Sequence, residues 1–125
     1  MSALRGRVIA EAEYSNNIRF AVNKLKLTGT EEKVYQKILL KMRESVRANK
    51  IRFTIHALEE MDNDDLYKAD VMHCILMGEI VHRQWDDSFQ EYKYLVDGEI
   101  LAGEMIEVVA KLDADYTVVI TAYVL

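Results

Sequence analysis

The feature that most constrains the fold is a change of hydrophobic period at Gly78. Before Gly78, apolar residues recur every three to four positions, as on one face of a helix, and after it they alternate, as in a half-buried strand. Helices followed by strands that are joined by short turns are typical of the α+β class. The pattern therefore predicts N-terminal helices packed on one face of a four-stranded antiparallel sheet.

The helical part divides into segments that begin at capping residues. Residues 31–48 carry apolar side chains at helical spacing opposite a row of Lys and Arg, and Thr30 is the predicted N-cap. Residues 4–27 fit either a helix or a hairpin, and the helix is favoured.

Two shorter helices are predicted next. Thr54 is placed to cap a helix whose apolar side is Ile55, Leu58 and Met61, and the turn-forming residues at 63–64 end it. Asp65 is the predicted cap of a helix over residues 66–77, which Gly78 stops.

Four strand candidates follow, with the sequences IVHRQW, FQEYKYLV, EMIEVVAKL and YTVVITAYV. Turns are predicted at residues 86–88 and 113–115. Asp97-Gly98 is the strongest hairpin signal, because glycine readily adopts positive φ, and Gly103 is a candidate bulge. The exposed last strand, YTVVITAYVL, suggests edge-to-edge pairing in a dimer.

Length and composition indicate one compact unit. The 125 residues are half hydrophobic and include no proline, which is enough apolar material for a core. The chain has no apolar run long enough to span a membrane, no signal-peptide pattern, and one cysteine, Cys74, which cannot build a disulfide framework. A cytoplasmic location is expected.

Charge is distributed unevenly along the chain. Residues 1–50 carry eleven Lys or Arg against five Glu, whereas residues 51–125 carry five Lys or Arg against sixteen Asp or Glu. The first part is therefore interpreted as a basic helical extension of an acidic α+β domain. Phosphate is repelled by an acidic surface, so RNA is a disfavoured partner for residues 51–125.

Residues 51–125 resemble a known family. The string IRFTIHALEEM at 51–61, GEI at 78–80, EYKYL at 91–95, IEVVA at 106–110 and VITAY at 119–123 resemble the domain-of-unknown-function family DUF4258. That family is similar to the BrnT and RelE ribonuclease toxins, which carry small helices on an antiparallel sheet. The resemblance implies the same fold, and it implies an endoribonuclease toxin with an antitoxin partner as one reading of function.

The chain departs from the family pattern at charged positions. Glu60 and Asp64 stand where the family usually has arginines, and Glu107 stands where it often has a histidine. An arginine-to-carboxylate change replaces attraction for phosphate by repulsion and removes a bidentate donor. These departures disfavour inherited ribonuclease chemistry.

His56 is the first candidate catalytic residue. It lies four positions before Glu60 and three before Glu59, so on a helix a carboxylate could orient it as a general acid or base. The alternative is a polar first-turn residue that braces the helix, and this structural reading is favoured because a histidine beside a glutamate is common.

Strand residues supply the remaining candidates. If the sheet binds RNA, Arg83 could contact phosphate and a tyrosine could stack on a base; the candidate tyrosines are Tyr92, Tyr94 and Tyr123. The candidate binding residues are Glu59, Glu60, His82 and Glu107. Alternation places His82 and Arg83 on opposite faces. The alternative, in which the tyrosines pack the sheet and Arg83 is a solvated charge, is favoured.

No cofactor or metal is predicted, since the sequence has no phosphate loop and no paired zinc-ligand spacing. Two functions remain. The favoured one is a non-catalytic relative of the toxin fold that binds a protein or forms a homodimer. The alternative is a metal-independent endoribonuclease of a toxin–antitoxin pair, with His56, Arg83, Tyr94 and Tyr123 as its catalytic residues.

Overall fold

The computed structural model describes residues 28–125. Three helices and five strands follow one another in the order α1 Gly29–Arg47, β1 Ile51–Phe53, α2 Ile55–Asn63, α3 Lys68–Met77, β2 Glu79–Asp86, β3 Glu91–Glu99, β4 Met105–Asp113 and β5 Tyr116–Val124. The α+β class is confirmed. The helix or hairpin expected over residues 4–27 lies outside the described residues.

The sheet has five strands in the order β1-β5-β4-β3-β2 and is mixed. Strands β2 to β5 form an antiparallel meander, but β1 pairs with β5 in parallel, with Ile51 opposite Thr117 and Phe53 opposite Val119. The prediction of a four-stranded antiparallel sheet is therefore wrong. Strand β1 has only three residues, which is too short for an alternating pattern to be recognised.

The predicted hairpin turn at Asp97-Gly98 is also wrong, because both residues lie inside β3. The chain reverses instead at residues 100–104, where the Ile100 N–H donates to the Glu104 carbonyl at 2.9 Å. Gly103 is part of this turn, with φ of 93°, rather than a bulge. The turns predicted at 86–88 and 113–115 are confirmed to within two residues, at 87–90 and 114–115.

Helix boundaries differ slightly from those predicted. Thr28, not Thr30, caps α1, and it forms a capping box with Glu31. Tyr67, not Asp65, is the N-cap of α3; Asp65 instead adopts a left-handed conformation, with φ of 55°, between α2 and α3. Gly78 follows α3 as predicted.

The buried side of α2 was predicted only in part. Met61 is buried as expected, together with Ala57, but Ile55 and Leu58 are exposed. The predicted cap is confirmed, because the Thr54 hydroxyl accepts from the Ala57 N–H at 3.0 Å.

Both ends of α2 are tied to the last strand. The Thr54 hydroxyl donates to the Ile120 carbonyl at 2.9 Å, and the Asp64 carboxylate accepts from the Val124 N–H at 2.8 Å. Together with β1, these bonds cover the side of β5 that faces away from β4. The last strand is thus not an open edge, and the expectation that it pairs edge to edge in a dimer is wrong.

The core lies between the helices and one face of the sheet. Helix α1 contributes Leu39 and Met42, α3 contributes Ile75, and the sheet contributes alternate residues such as Val96 and Val108. Arg43 of α1 donates to the Ile75 and Gly78 carbonyls at 3.1 and 2.8 Å, which satisfies carbonyl groups at the end of α3. Within residues 28–125, no helix is both long and apolar enough to cross a membrane.

Candidate protein-binding surface

Strand β2 forms one edge of the sheet, and its exposed side chains cluster with those of β3. The register places Arg83 opposite Tyr94 and Trp85 opposite Tyr92. Since opposed residues share a face and Tyr94 belongs to the core cluster, all four side chains lie on the helix-covered face of the sheet.

The aromatic rings and the guanidinium form a continuous stack. The Trp85 and Tyr92 ring centroids are 4.9 Å apart in an edge-to-face arrangement, and the Arg83 guanidinium carbon lies 4.2 Å from the Tyr92 centroid. Such edge-to-face and cation–π geometries are attractive. Trp85 is 48% exposed and Tyr92 37% exposed, whereas Tyr94 is buried beneath them. We call Arg83, Trp85, Tyr92 and the backbone of β2 the β2 surface.

The hairpin turn fixes the orientation of Trp85. The indole N–H donates to the Asp87 carboxylate at 2.8 Å, and the Asp86 carboxylate accepts from the Ser88 N–H at 3.0 Å. Gln90 donates to the Asp87 carbonyl at 2.8 Å and adopts a left-handed conformation, with φ of 53°. The Trp85 ring is thereby held in a half-exposed position by the hydrogen bond of its indole N–H.

Two buried tyrosines lie beneath the β2 surface. Burial raises the pKa of Tyr35, on α1, and of Tyr94, and the positive charge of Arg83 acts in the opposite direction on both. The backbone N–H of Arg83 also lowers the pKa of Tyr35. The layer beneath the β2 surface is therefore polar, because the Tyr35 and Tyr94 hydroxyls lie close to the half-buried Arg83 guanidinium.

The opposite face of the sheet carries a row of acidic residues. Glu79, Asp97 and Glu107 face one another on three adjacent strands, and Tyr123 continues the row on β5. Asp97 is 1% and Glu107 2% exposed, and the Tyr123 hydroxyl donates to the Glu107 carboxylate. Glu107 is thus a buried structural partner of Tyr123, on the other face of the sheet from Arg83 and Tyr94.

The candidate catalytic residues lie in separate places. Arg83 and Tyr94 are neighbours, as register pairing requires. Tyr123 lies on the opposite face of the sheet. His56 is exposed on α2, which packs against β5, and two strands, β4 and β3, lie between β5 and β2. No common cleft within residues 28–125 joins His56, Arg83 and Tyr123.

The remaining candidate residues also divide between elements. Glu59 is exposed and Glu60 half-buried on α2, while His82 is exposed on the face of β2 opposite Arg83. The predicted separation of His82 and Arg83 is confirmed by this register. In the part of the chain that the structure describes, no three His, Cys, Asp or Glu side chains are grouped so as to hold a metal ion.

The selection of site residues from the sequence included Tyr92 among the strand aromatics but missed Trp85. The signal was present: Trp85 is the only tryptophan of the chain, and it stands two residues after Arg83, on the same face of a strand. Its stacking partner could be identified only once the β2–β3 register was known.

Comparison with known proteins gives a family. The family model described as "Domain of unknown function (DUF4258)" matches residues 53–124. The chain belongs to the DUF4258 family. The match begins at Phe53 in β1 and ends at the last residue of β5, so it includes α2, α3 and the whole meander but not α1. No curated protein matches the chain, and no solved structure does.

Proposed function

We propose that this DUF4258 chain is a non-catalytic protein-binding module and that the β2 surface is its binding site. The observation that carries the proposal is the exposed Trp85–Tyr92–Arg83 stack beside an edge strand. Trp, Tyr and Arg are the residue types that most often dominate the binding energy of protein interfaces.

The edge of β2 adds a second means of binding. The outer strand of a sheet presents backbone donors and acceptors that an extended segment of another chain can pair with. At the other edge of the sheet, the last strand is covered by β1 and by the ends of α2. A partner strand that adds to β2 would lie directly beside Arg83 and Trp85.

The endoribonuclease alternative has less support. His56, Arg83 and Tyr123 lie on different elements and faces, whereas general acid–base chemistry requires its groups within hydrogen-bond reach of one substrate. The five Lys or Arg of residues 51–125 are outnumbered by sixteen Asp or Glu, and binding of RNA relies strongly on phosphate neutralisation. The BrnT and RelE resemblance therefore supports a shared architecture better than a shared reaction.

Photo-crosslinking in the cells that make the protein tests this proposal. The exposed Gln84 on β2 is replaced by p-benzoylphenylalanine in the full chain, and Leu101, in the turn at the other end of β3, receives the same group as a control. We expect a protein adduct at position 84 but not at 101, and we expect it to disappear when Arg83→Glu and Trp85→Ser are added.

Other crosslinking results would contradict the proposed binding site on β2. An adduct with RNA at position 84 would contradict the proposal and favour the ribonuclease. Equal adducts at 84 and 101, or none at 84, would contradict a binding site on β2. The mass of a specific adduct identifies whether the partner is another protein or a second copy of the chain.

A further inference from the structure

Only part of the β2 edge is regular enough to accept another strand. The pairing of β2 with β3 is irregular between Ile80 and His82, and the hairpin turn begins after Asp86. A bulge disrupts the ladder and twists an edge away from partners. The regular segment therefore runs from His82 to Asp86, and its central residue is Gln84.

The side chains of this segment are complementary to themselves. His82 and Asp86 lie at equal distances on either side of Gln84, and so do Arg83 and Trp85. In an antiparallel pair, residues that are equidistant from the centre oppose each other and share a face. Two copies of HRQWD centred on Gln84 would thus oppose histidine to aspartate and arginine to tryptophan, twice each.

We propose that the partner of the β2 surface is a second copy of this chain, paired antiparallel along His82–Asp86 with Gln84 on the two-fold axis. This inference rests on the proposed function and names its partner. A two-fold interface is isologous, so every favourable contact occurs twice.

The contacts on the helix-covered face join the two aromatic stacks. Arg83 of one copy lies opposite Trp85 of the other, so the guanidinium, which already contacts Tyr92 at 4.2 Å, gains the face of a second ring. Trp85 is 48% exposed in the single chain, and the pairing removes much of this apolar area from water.

The contacts on the other face are polar. His82 of one copy lies opposite Asp86 of the other, and the two Gln84 amides meet at the centre. Asp86 already lies 3.6 Å from Lys93 within its own chain, so the aspartate is held in place by one cation before the histidine approaches. A ring N–H of histidine can donate to the facing carboxylate, whereas like charges directly across a strand pair destabilise the pairing.

The proposed register also defines the backbone bonds of the pair. Alternate residues along a strand direct their backbone groups to the same side, so Arg83 and Trp85 act together. Pairing would give two backbone hydrogen bonds between Arg83 of one copy and Trp85 of the other.

A cysteine scan of the full chain tests the register. Residues opposed across an antiparallel pair have Cα atoms about 4.5–5.5 Å apart, within the range that a disulfide bridges. Gln84→Cys is therefore expected to form a disulfide-linked dimer at least tenfold faster than His82→Cys under the same mild oxidant. The two His82 Cα atoms would lie about 14 Å apart, since four residues separate them from opposition.

Cysteines at positions 82 and 84 are both exposed on the same face of β2, so random collision affects them alike. The native Cys74 is fully buried and contributes no competing crosslink. Equal rates at the two positions, or no dimer from Gln84→Cys, would overturn the register.

Sedimentation of two His82 variants tests the charge pairing. In the His82→Glu variant, the glutamate of each copy faces Asp86 of the other, so two carboxylate pairs repel each other. This variant is expected to weaken the dimer about tenfold. His82→Lys keeps the attraction and is expected to dimerise within about twofold of the natural chain. Circular dichroism checks that both variants are folded.

Loss of dimerisation in both variants, or in neither, would contradict the pairing of His82 with Asp86. A natural chain that sediments as a monomer at high concentration would overturn the second copy as partner. In that case a photo-adduct at position 84 with another protein would still support the proposed function, so the two proposals fail separately.

Discussion

At the scale of single residues, Cys74 shows how the core determines the chemistry of a side chain. The thiol is fully buried on α3, and its sulfur lies 3.7 Å from the Val96 carbonyl oxygen. Burial raises the pKa of Cys74 far above its ordinary value, and the negative charges of Asp97 and Glu107 raise it further. A thiol reacts as the thiolate, so this cysteine is a packing residue and not a nucleophile.

Cys74 is therefore expected to be inert in the folded protein. At pH 8 an aromatic disulfide reagent should label less than about a tenth of the thiol in the time that modifies a free cysteine completely, and the same sample in denaturant should yield one thiol per chain. Because the pKa is raised, the labelling rate should stay low as the pH rises to 9. Fast labelling of the folded protein would show that Cys74 is accessible.

Single residues were the part of the site least visible in the sequence. Alternation alone separated His82 from Arg83 correctly. It could not indicate that Arg83 stacks on Tyr92 and not on a ligand, because that contact depends on which strand lies beside β2 and in which register. The pairing of His56 with a distant Arg83 was suggested by residue type, which contains no information about distance.

At the scale of elements, the contact between the end of α3 and strand β3 depends on two glycines. A Cβ atom on Gly78 would lie 2.4 Å from the Asp97 carbonyl oxygen and 2.5 Å from the Cys74 carbonyl oxygen. A Cβ atom on Gly98 would lie 3.1 Å from the Cys74 sulfur. The helix therefore approaches the strand at a distance that leaves no room for a side chain at position 78.

Gly78→Ala is expected to destabilise the protein by at least about 2 kcal/mol, because backbone atoms of two elements must separate. The matched control is Gly29→Ala at the start of α1, where an added Cβ meets nothing within 4 Å. Denaturant unfolding monitored through Trp85 measures both. A Gly78→Ala variant as stable as Gly29→Ala would show that α3 and β3 are less closely packed than described.

These glycines also explain the wrong hairpin prediction. Asp-Gly is a turn signal because glycine adopts positive φ, but glycine is equally required where another backbone approaches a strand. Gly98 serves the second purpose, and a single sequence does not distinguish the two. Thr54 is the opposite case, because its role as the cap of α2 follows from the local sequence, whereas its bond to Ile120 requires the fold.

At the scale of the whole molecule, the two edges of the sheet differ. The side of β5 away from β4 is covered by the short parallel strand β1, the Thr54 hydroxyl and the Asp64 carboxylate. At the other edge, the regular half of β2 carries exposed side chains. Proteins usually protect their edge strands, and the exposed tryptophan beside this edge is what supports the proposal that β2 binds a partner.

The overall architecture was largely predictable, and the position of this surface was not. Hydrophobic periodicity predicted the helices at 31–77 and the four-strand meander because these signals are local. The parallel pairing of β1 with β5 joins residues more than sixty positions apart through a three-residue strand. That pairing makes β5 an interior strand, so the last strand does not offer the open edge that the sequence suggested.

Amide hydrogen exchange of the full chain tests the central claim, that the β2 edge is the binding surface, most directly. The rate is measured residue by residue at low and high protein concentration, with the N–H groups of Arg83 and Trp85 as reporters and those of α2 as the internal control. We expect exchange at Arg83 and Trp85 to slow with concentration while exchange in α2 does not change. A dimer that forms without slower exchange in residues 82–86, or that protects another face, would contradict it.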